Sequence, residues 1–230
     1  MTNQKVKEHR KYYMKKLIIF FTIALVSVSI FSQNSNEAKL LLDEVAKKVE
    51  AYENLYIEFN HKFDNTEADV HQETRGSVTL KNNLYHLNYM GTEQIFDGKK
   101  VYLIIHEDEE VIIQNSSDND EETLTPSKMF SFYKHGYTYE MDALKNIKGI
   151  KIQYIKLTPI DSNSEISSVL VGIDIKTKHI FNVIETGENQ TITTLEVRTF
   201  KTNQPISEKL FIFDTAKYRD QKKYTISEPN

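Results

Sequence analysis

Two hydrophobic patterns divide the chain beyond residue 33. Over residues 38–49, apolar side chains recur every three or four positions with charged side chains between them, which predicts an amphipathic helix. Ser35 or Asn36 is suited to cap the start of this helix. From residue 54 onward, apolar and polar side chains alternate, as in strands with one wet face. The pattern therefore predicts one helix followed by a long series of strands.

Short polar turns separate the predicted strands. The strongest hairpin signal is Asp97-Gly98, because both residues tolerate positive φ. The predicted strands span residues 54–63, 73–81, 84–90, 93–96, 100–106, 110–114, 137–141, 150–158, 168–175, 179–186, 190–200 and 208–213.

A second, short helix is predicted over residues 125–133. Thr125 is a good N-cap and Pro126 fits the first turn. A helix of this length is not stable alone, so it must gain its stability from the surface that it covers. We interpret it as a lid over the open side of a curved sheet, and a permanently packed cap is the alternative. The apolar residues of this stretch are Leu124, Met129, Phe130, Phe132 and Tyr133.

The order of elements limits the fold class. Ten or more antiparallel strands with one long and one short helix exclude a parallel α/β sheet. A sandwich, a closed barrel and a strongly curved sheet wrapped around helices remain possible. Large side chains on one sheet face suit either a dry core or an apolar cavity. Ten such residues are expected to face one concave surface: Leu55, Ile57, Phe59, Val78, Leu80, Tyr85, Leu87, Tyr89, Val101 and Leu103.

The first 32 residues have the pattern of an export signal. Lys15 and Lys16 precede an apolar run over 17–31, and cleavage is expected between Ser32 and Gln33. The run is shorter than the roughly 20 residues of a membrane span, although an uncleaved anchor is the alternative. Residues 1–13 are interpreted as an upstream extension, which leaves one domain over 33–230 in the periplasm.

Charge argues against several kinds of partner. Residues 1–32 hold six of the 29 basic and one of the 33 acidic residues, which leaves 23 basic and 32 acidic residues and a net charge of −9. This acidity disfavours nucleic acid and anionic lipid surfaces. The arginines beyond the signal are Arg75, Arg198 and Arg219, so no arginine cluster for phosphate recognition is expected.

Catalytic and metal-binding motifs are not found in the sequence. The chain has no cysteine, which excludes disulfides, thiol nucleophiles and an N-terminal lipid anchor on cysteine. Its seven histidines form no zinc-binding motif, and neither a Gly-x-Ser-x-Gly motif nor a phosphate-binding glycine loop occurs. Acidic runs at 108–110 and 118–122 are interpreted as solvated loops. We therefore expect a protein that is not an enzyme and that uses neither a metal nor a cofactor.

The order of short motifs along the chain resembles the LolA family of outer-membrane lipoprotein carriers. The resemblance covers about residues 37–213, and each motif is weak by itself. The stretches that carry it are Gly76-Ser77-Val78-Thr79-Leu80-Lys81, Ile95-Phe96-Asp97-Gly98-Lys99-Lys100-Val101-Tyr102, Thr125-Pro126, Lys156-Leu157-Thr158-Pro159 and Phe211-Ile212-Phe213.

The resemblance implies a fold, a cargo and partners. The implied fold is α+β and mostly antiparallel β: an incomplete, half-open barrel whose concave face is covered by helices. The cargo would be the acyl chains of lipoproteins, received from an inner-membrane ABC transporter and delivered to an outer-membrane acceptor by a monomeric carrier. The ten residues of the concave surface, with Met129, Phe130 and Phe132 of the lid, would bind these chains.

The sequence departs from the family's pattern at one informative place. Family members often have Arg-Pro after the lysine that ends the Gly76 strand, and that arginine helps to latch the lid. Here the segment is Lys81-Asn82-Asn83. A periplasmic lipid-binding or sensor module on the same half-barrel, with a different cargo, is therefore the alternative function.

Overall fold

The computed structural model of the protein describes residues 34–115 and 130–228. Helix α1 occupies residues 34–50, and Ser35 and Asn36 already lie within it rather than capping it. The buried positions of α1 follow the predicted helical spacing: Ala38, Leu42, Val45, Ala46 and Val49. The predicted signal peptide and residues 116–129, which include most of the predicted second helix, lie outside the described residues.

The described strands form one open sheet that is mostly antiparallel. Its order is β12-β6-β5-β4-β3-β2-β1-β11-β10-β9-β8-β7, so β12 and β7 are its edges. The pairing of β12 with β6 is parallel. The strands are β1 (Leu55–Asn65), β2 (Val70–Lys81), β3 (Leu84–Tyr89), β4 (Thr92–Phe96), β5 (Lys100–Ile105), β6 (Glu110–Asn115), β7 (Tyr137–Ile147), β8 (Ile150–Pro159), β9 (Ile166–Asp174), β10 (Ile180–Gly187), β11 (Ile192–Thr202) and β12 (Thr225–Ser227).

One predicted strand is wrong. Residues 208–213 contain a 3-10 turn, Glu208–Phe211, whose start is capped by the Ser207 side chain through the Lys209 N–H. Phe211 is buried, whereas Ile212 is 60% exposed. The apolar residues that alternate here therefore belong to a turn. The turn packs against the sheet but does not pair with any of its strands.

Helix α1 packs against one face of the sheet, called the helix face below. Leu42 and Val45 contact a cluster formed by β8 and β9, which includes Ile155 and Val171. Val49 belongs to a second cluster, formed by β1, β2 and β3. The helix therefore joins both halves of the sheet, and each of its fully buried Leu or Val side chains contributes about 1.5–3 kcal/mol.

The C-terminal segment, residues 208–227, covers the opposite face over β4, β5 and β6. Phe213 and Tyr218 pack against Ile95, Ile104 and Val111. The rings of Phe213 and Tyr218 are stacked with their centroids 5.3 Å apart. This cover explains why Ile104 and Val111 are fully buried although they lie on the face that α1 does not touch.

A polar network under the C-terminal segment is centred on Glu93. One carboxylate oxygen lies 2.8 Å from Nε2 of His86, and the other accepts a hydrogen bond of 3.0 Å from the hydroxyl of Tyr218. The hydrogen bond with His86 outweighs burial and, with that from Tyr218, lowers the pKa of Glu93 to about 2. The ionised carboxylate therefore holds the C-terminal segment against the sheet.

We predict that Glu93→Gln destabilises the protein near neutral pH. Because the folded-state pKa lies below the ordinary value of 4.5, this contribution is present above pH 4.5 and is lost as pH falls towards 2. The expected loss at pH 6 is roughly 1–2 kcal/mol, since water still screens part of the site. Urea denaturation at pH 6 and pH 3 measures it, and Glu107→Gln, in an exposed turn, is the control. Equal losses at both pH values would contradict the assignment.

Candidate functional site

The sheet register places all ten predicted concave-surface residues on one face. Residues directly opposite each other in antiparallel pairs point to the same side of a sheet. Leu55 pairs with Leu80, and Ile57 pairs with Val78. The same register continues through β3, β4 and β5 without a bulge, so each row of paired residues stays on one face. Three rows result: Leu55, Leu80, Tyr85, Phe96 and Val101; Ile57, Val78, Leu87, Gln94 and Leu103; Phe59, Gly76, Tyr89, Thr92 and Ile105.

Burial divides this apolar face into two parts. The residues on β1 and β2, together with Tyr85, are buried, and Val49 and Phe130 pack against most of them. The residues farther along the sheet remain half-buried: Leu87, Tyr89, Val101 and Leu103. The face is therefore covered over β1 and β2 and partly open over β3 and β5.

The segment 130–134 crosses this region, and the structure separates its predicted site residues. Phe130 is 8% exposed and packs with Leu55 and Leu80, whereas Phe132 is 37% exposed. Met129 lies outside the described residues. Tyr133 is buried, and its hydroxyl donates a 2.9 Å hydrogen bond to Asp43 of α1. Only a 3-10 turn, Phe132–Lys134, is formed here, and the tyrosine ties it to the helix.

A cavity of about 300 Å³ opens beside Phe130, where α1 meets the start of β1 and the β2–β3 turn. It lies at the small end of the range for ligand sites. Asn82 and Asn83, which replace the family's Arg-Pro, stand at its rim, while the adjacent Lys81 forms an ion pair with Glu208. The cavity is lined by Val49, Glu50, Tyr52, Glu53, Asn54, Leu55, Leu80, Asn82, Asn83 and Phe130.

Sequence reasoning missed one part of the helix face, formed by Tyr52, His179 and Phe200. The ring of His179 stacks on Phe200 with centroids 4.0 Å apart, and its Nε2 lies 2.8 Å from the Tyr52 hydroxyl. Burial, with a smaller effect of Lys48, lowers the pKa of His179. These residues are 127 and 21 positions apart in the chain, so no local motif could have revealed them.

A close contact at Gly76 shapes the other end of the apolar face. A Cβ atom at Gly76 would lie 2.3 Å from Cζ of Phe59, so the ring rests directly on the glycine backbone. Tyr89 adds a second ring, 5.8 Å from that of Phe59 between centroids. Burial raises the pKa of Tyr89. Glycine is needed here to let Phe59 lie flat in its row.

We predict that Gly76→Ala destabilises the protein by about 1–3 kcal/mol, because the added methyl group displaces a buried ring. Urea denaturation measures the loss. The double variant Gly76→Ala/Phe59→Leu should be less destabilised than the sum of the two single variants, since leucine lacks the colliding atoms. Additive losses would show that the ring and the glycine do not interact.

The described residues offer neither a metal site nor a membrane-spanning helix. Within 34–115 and 130–228, no group of three His, Asp or Glu side chains is placed to hold a metal ion. No helix in these ranges is long and apolar enough to cross a membrane.

Comparison with known proteins identifies the family. No curated protein matches the chain by sequence. An uncharacterized conserved protein from Thermus thermophilus shares the fold, with 10% identity and a TM-score of 0.56 over 84% of this chain and 99% of that one. LprF from Mycobacterium bovis (11% identity, TM-score 0.46, 76% of this chain and 96% of that one) and a LolA superfamily protein from Nitrosomonas europaea (10%, 0.39, 76% and 97%) also match. The family model described as "Outer membrane lipoprotein carrier protein LolA" matches residues 50–214, which is more than half of the chain, so the protein belongs to the LolA family.

Proposed function

We propose that this protein binds the acyl chains of lipoproteins on its helix face and carries them through the periplasm from the inner to the outer membrane. The observation that supports the proposal is the mostly apolar face of β1 to β5, in which Leu87, Val101 and Leu103 are only half-buried. In this proposal the helix face is the concave face, and α1 and Phe130 are its cover.

Transfer of lipid through water explains why such a face is needed. Exposing one methylene group costs about 0.8 kcal/mol, so a 16-carbon chain costs roughly 12 kcal/mol. A lipoprotein with several chains does not leave a membrane at that cost unless a protein shelters them. The task makes and breaks no bond, so apolar contacts and a movable cover are sufficient.

Closure of the site is proposed to depend on Phe130 and Tyr133. Phe130 fills the region between Val49 and Leu80, and full burial of such a side chain contributes about 1.5–3 kcal/mol. An entering acyl chain can supply the same contacts, so displacement of Phe130 costs little in its presence. The Tyr133–Asp43 hydrogen bond would take the place of the absent arginine latch as the tether between cover and helix.

The partners follow from the family in this proposal. The cargo is a lipoprotein, the donor is an ABC transporter of the inner membrane and the acceptor lies in the outer membrane. The signal peptide over residues 1–32 would deliver the carrier to the periplasm. Mass spectrometry of acyl chains that co-purify with the protein would distinguish a lipid carrier from a domain whose apolar face only packs a core.

We predict that Leu87→Asp weakens the binding of a fluorescent fatty acid at least about tenfold, because the new carboxylate must be desolvated beside the chain. Leu170→Asp is the matched control: Leu170 is also half-buried, but its register partners Lys156 and Ile184 place it on the opposite face. Both variants should lose similar stability in urea. Equal loss of fatty-acid binding in both would sink the proposed site.

We predict that Phe130→Asp blocks the release of lipoproteins from inner-membrane vesicles while circular dichroism still shows a folded sheet. Phe132→Asp should have a smaller effect, because that ring is already partly exposed. If Phe130→Asp and the milder Phe130→Ala both unfold the protein, Phe130 belongs to the permanent core and the cover assignment is wrong.

A further inference from the structure

A second cavity, of about 570 Å³, lies where β1, β2 and β11 meet the β3–β4 hairpin. Its polar residues Glu58, Ser77 and Asn88 form one cross-strand row on the face opposite α1. The acyl-binding proposal makes no use of this polar row, although Phe59 and Tyr89 of the helix face also line the cavity. The lining residues that bear on the ligand are Glu58, Arg75, Ser77, Asn88, His106 and Arg198.

The fold brings two of the three arginines beyond the signal to this one cavity. Arg75 lies opposite Asn60 in the β1–β2 pair. On the other side of β1, Glu58 pairs with Thr199 and Phe59 with Val197, which leaves Arg198 as the extra residue of a β-bulge. Bulges redirect a side chain and are common beside functional sites. The bulge is what aims Arg198 at the cavity that Arg75 lines.

Neither guanidinium group is neutralised by a close carboxylate. Among residues 34–115 and 130–228, no Asp or Glu oxygen lies within 4.0 Å of Arg75 or Arg198. Glu58 is the carboxylate in the lining, and it accepts hydrogen bonds from the hydroxyls of Tyr56 (2.8 Å) and Thr199 (2.5 Å). The carboxylate of Glu58 interacts with Arg198 electrostatically, at a distance longer than an ion pair.

Three lysines of the same face lie close to carboxylates. Lys62 lies 3.7 Å from Glu73, and Lys81 and Lys100 form ion pairs with Glu208 and Glu228. Two like charges at one cavity also repel each other, and an anion between them removes this repulsion.

We propose that this cavity binds a phosphate-bearing ligand. Guanidinium groups present planar pairs of N–H donors that match phosphate oxygens, and Ser77 and Asn88 add polar groups to the lining. The volume holds a phosphate with an organic substituent. A phospholipid headgroup and a soluble phosphate ester share this chemistry, and the choice of probes distinguishes them.

The test is isothermal titration calorimetry at low salt with three probes: inorganic phosphate, sn-glycerol 3-phosphate and dihexanoyl phosphatidylglycerol below its micelle concentration. We expect a Kd of about 1 mM or below for at least one phosphate ester. Arg75→Gln/Arg198→Gln should weaken binding at least about tenfold, and Arg75→Lys should lose part of the affinity, because lysine keeps the charge without the planar fork. Arg219→Gln, on the C-terminal segment, is the matched control and should bind as the parent does.

Both arginines are exposed, so the variants should keep the thermal stability of the parent. Tighter binding of the dihexanoyl lipid than of glycerol phosphate identifies a lipid headgroup, and equal binding identifies a soluble ester. Absence of binding by all three probes at about 10 mM overturns the proposal. So does an affinity that the double variant leaves unchanged or that Arg219→Gln lowers equally.

Discussion

Helix α1 contacts both halves of the sheet, and the rest of the structure depends on this packing. Leu42 and Val45 cover β8 and β9, while Val49 reaches the rows that run from β1 into β3. A sheet of twelve strands without this helix would expose a continuous apolar face to water. The helix covers part of that face and leaves Leu87 and its neighbours half-buried. The packing of α1 on the sheet thus determines both the stability of the fold and how much of the apolar face is exposed.

The two faces of the sheet are covered by different means. One helix and a short segment lie on the helix face, where the hydroxyl of Tyr133 donates a hydrogen bond to Asp43 of α1. The C-terminal segment lies on the other face and is held by stacked rings and by the ionised Glu93. The first cover packs mainly through apolar side chains. The second combines apolar ring contacts with a hydrogen bond to an ionised carboxylate.

Local sequence patterns predicted much of the fold. Alternation with a period of two located β1 to β6 and β8 to β11, and it placed the ten apolar residues on one side, because register follows the buried face. The pattern failed where the chain departs from regular pairing. Strand β7 continues past the irregularity between Met141 and Leu144, and β12 is too short to show a period.

The grouping of charged side chains in space could not be predicted from local sequence patterns. Arg75 and Arg198 are far apart in the chain, and only strand pairing on both sides of β1 brings them to one cavity. Net charge and a count of three arginines argued against such a site. The stacking of His179 on Phe200 was hidden for the same reason, since it depends on which strands become neighbours.

The edges of the sheet limit how copies of this protein can associate. Strand β12 has three residues and offers an approaching chain few backbone groups. At the other edge, the side chain of Asn34 accepts the N–H of Met141, and the irregular pairing after Met141 bends β7. Open sheets with long flat edges grow by adding strands, which leads to fibres. The two edges of this sheet are therefore poor templates for another copy, β12 because it is short and β7 because of its irregular pairing and its contact with Asn34.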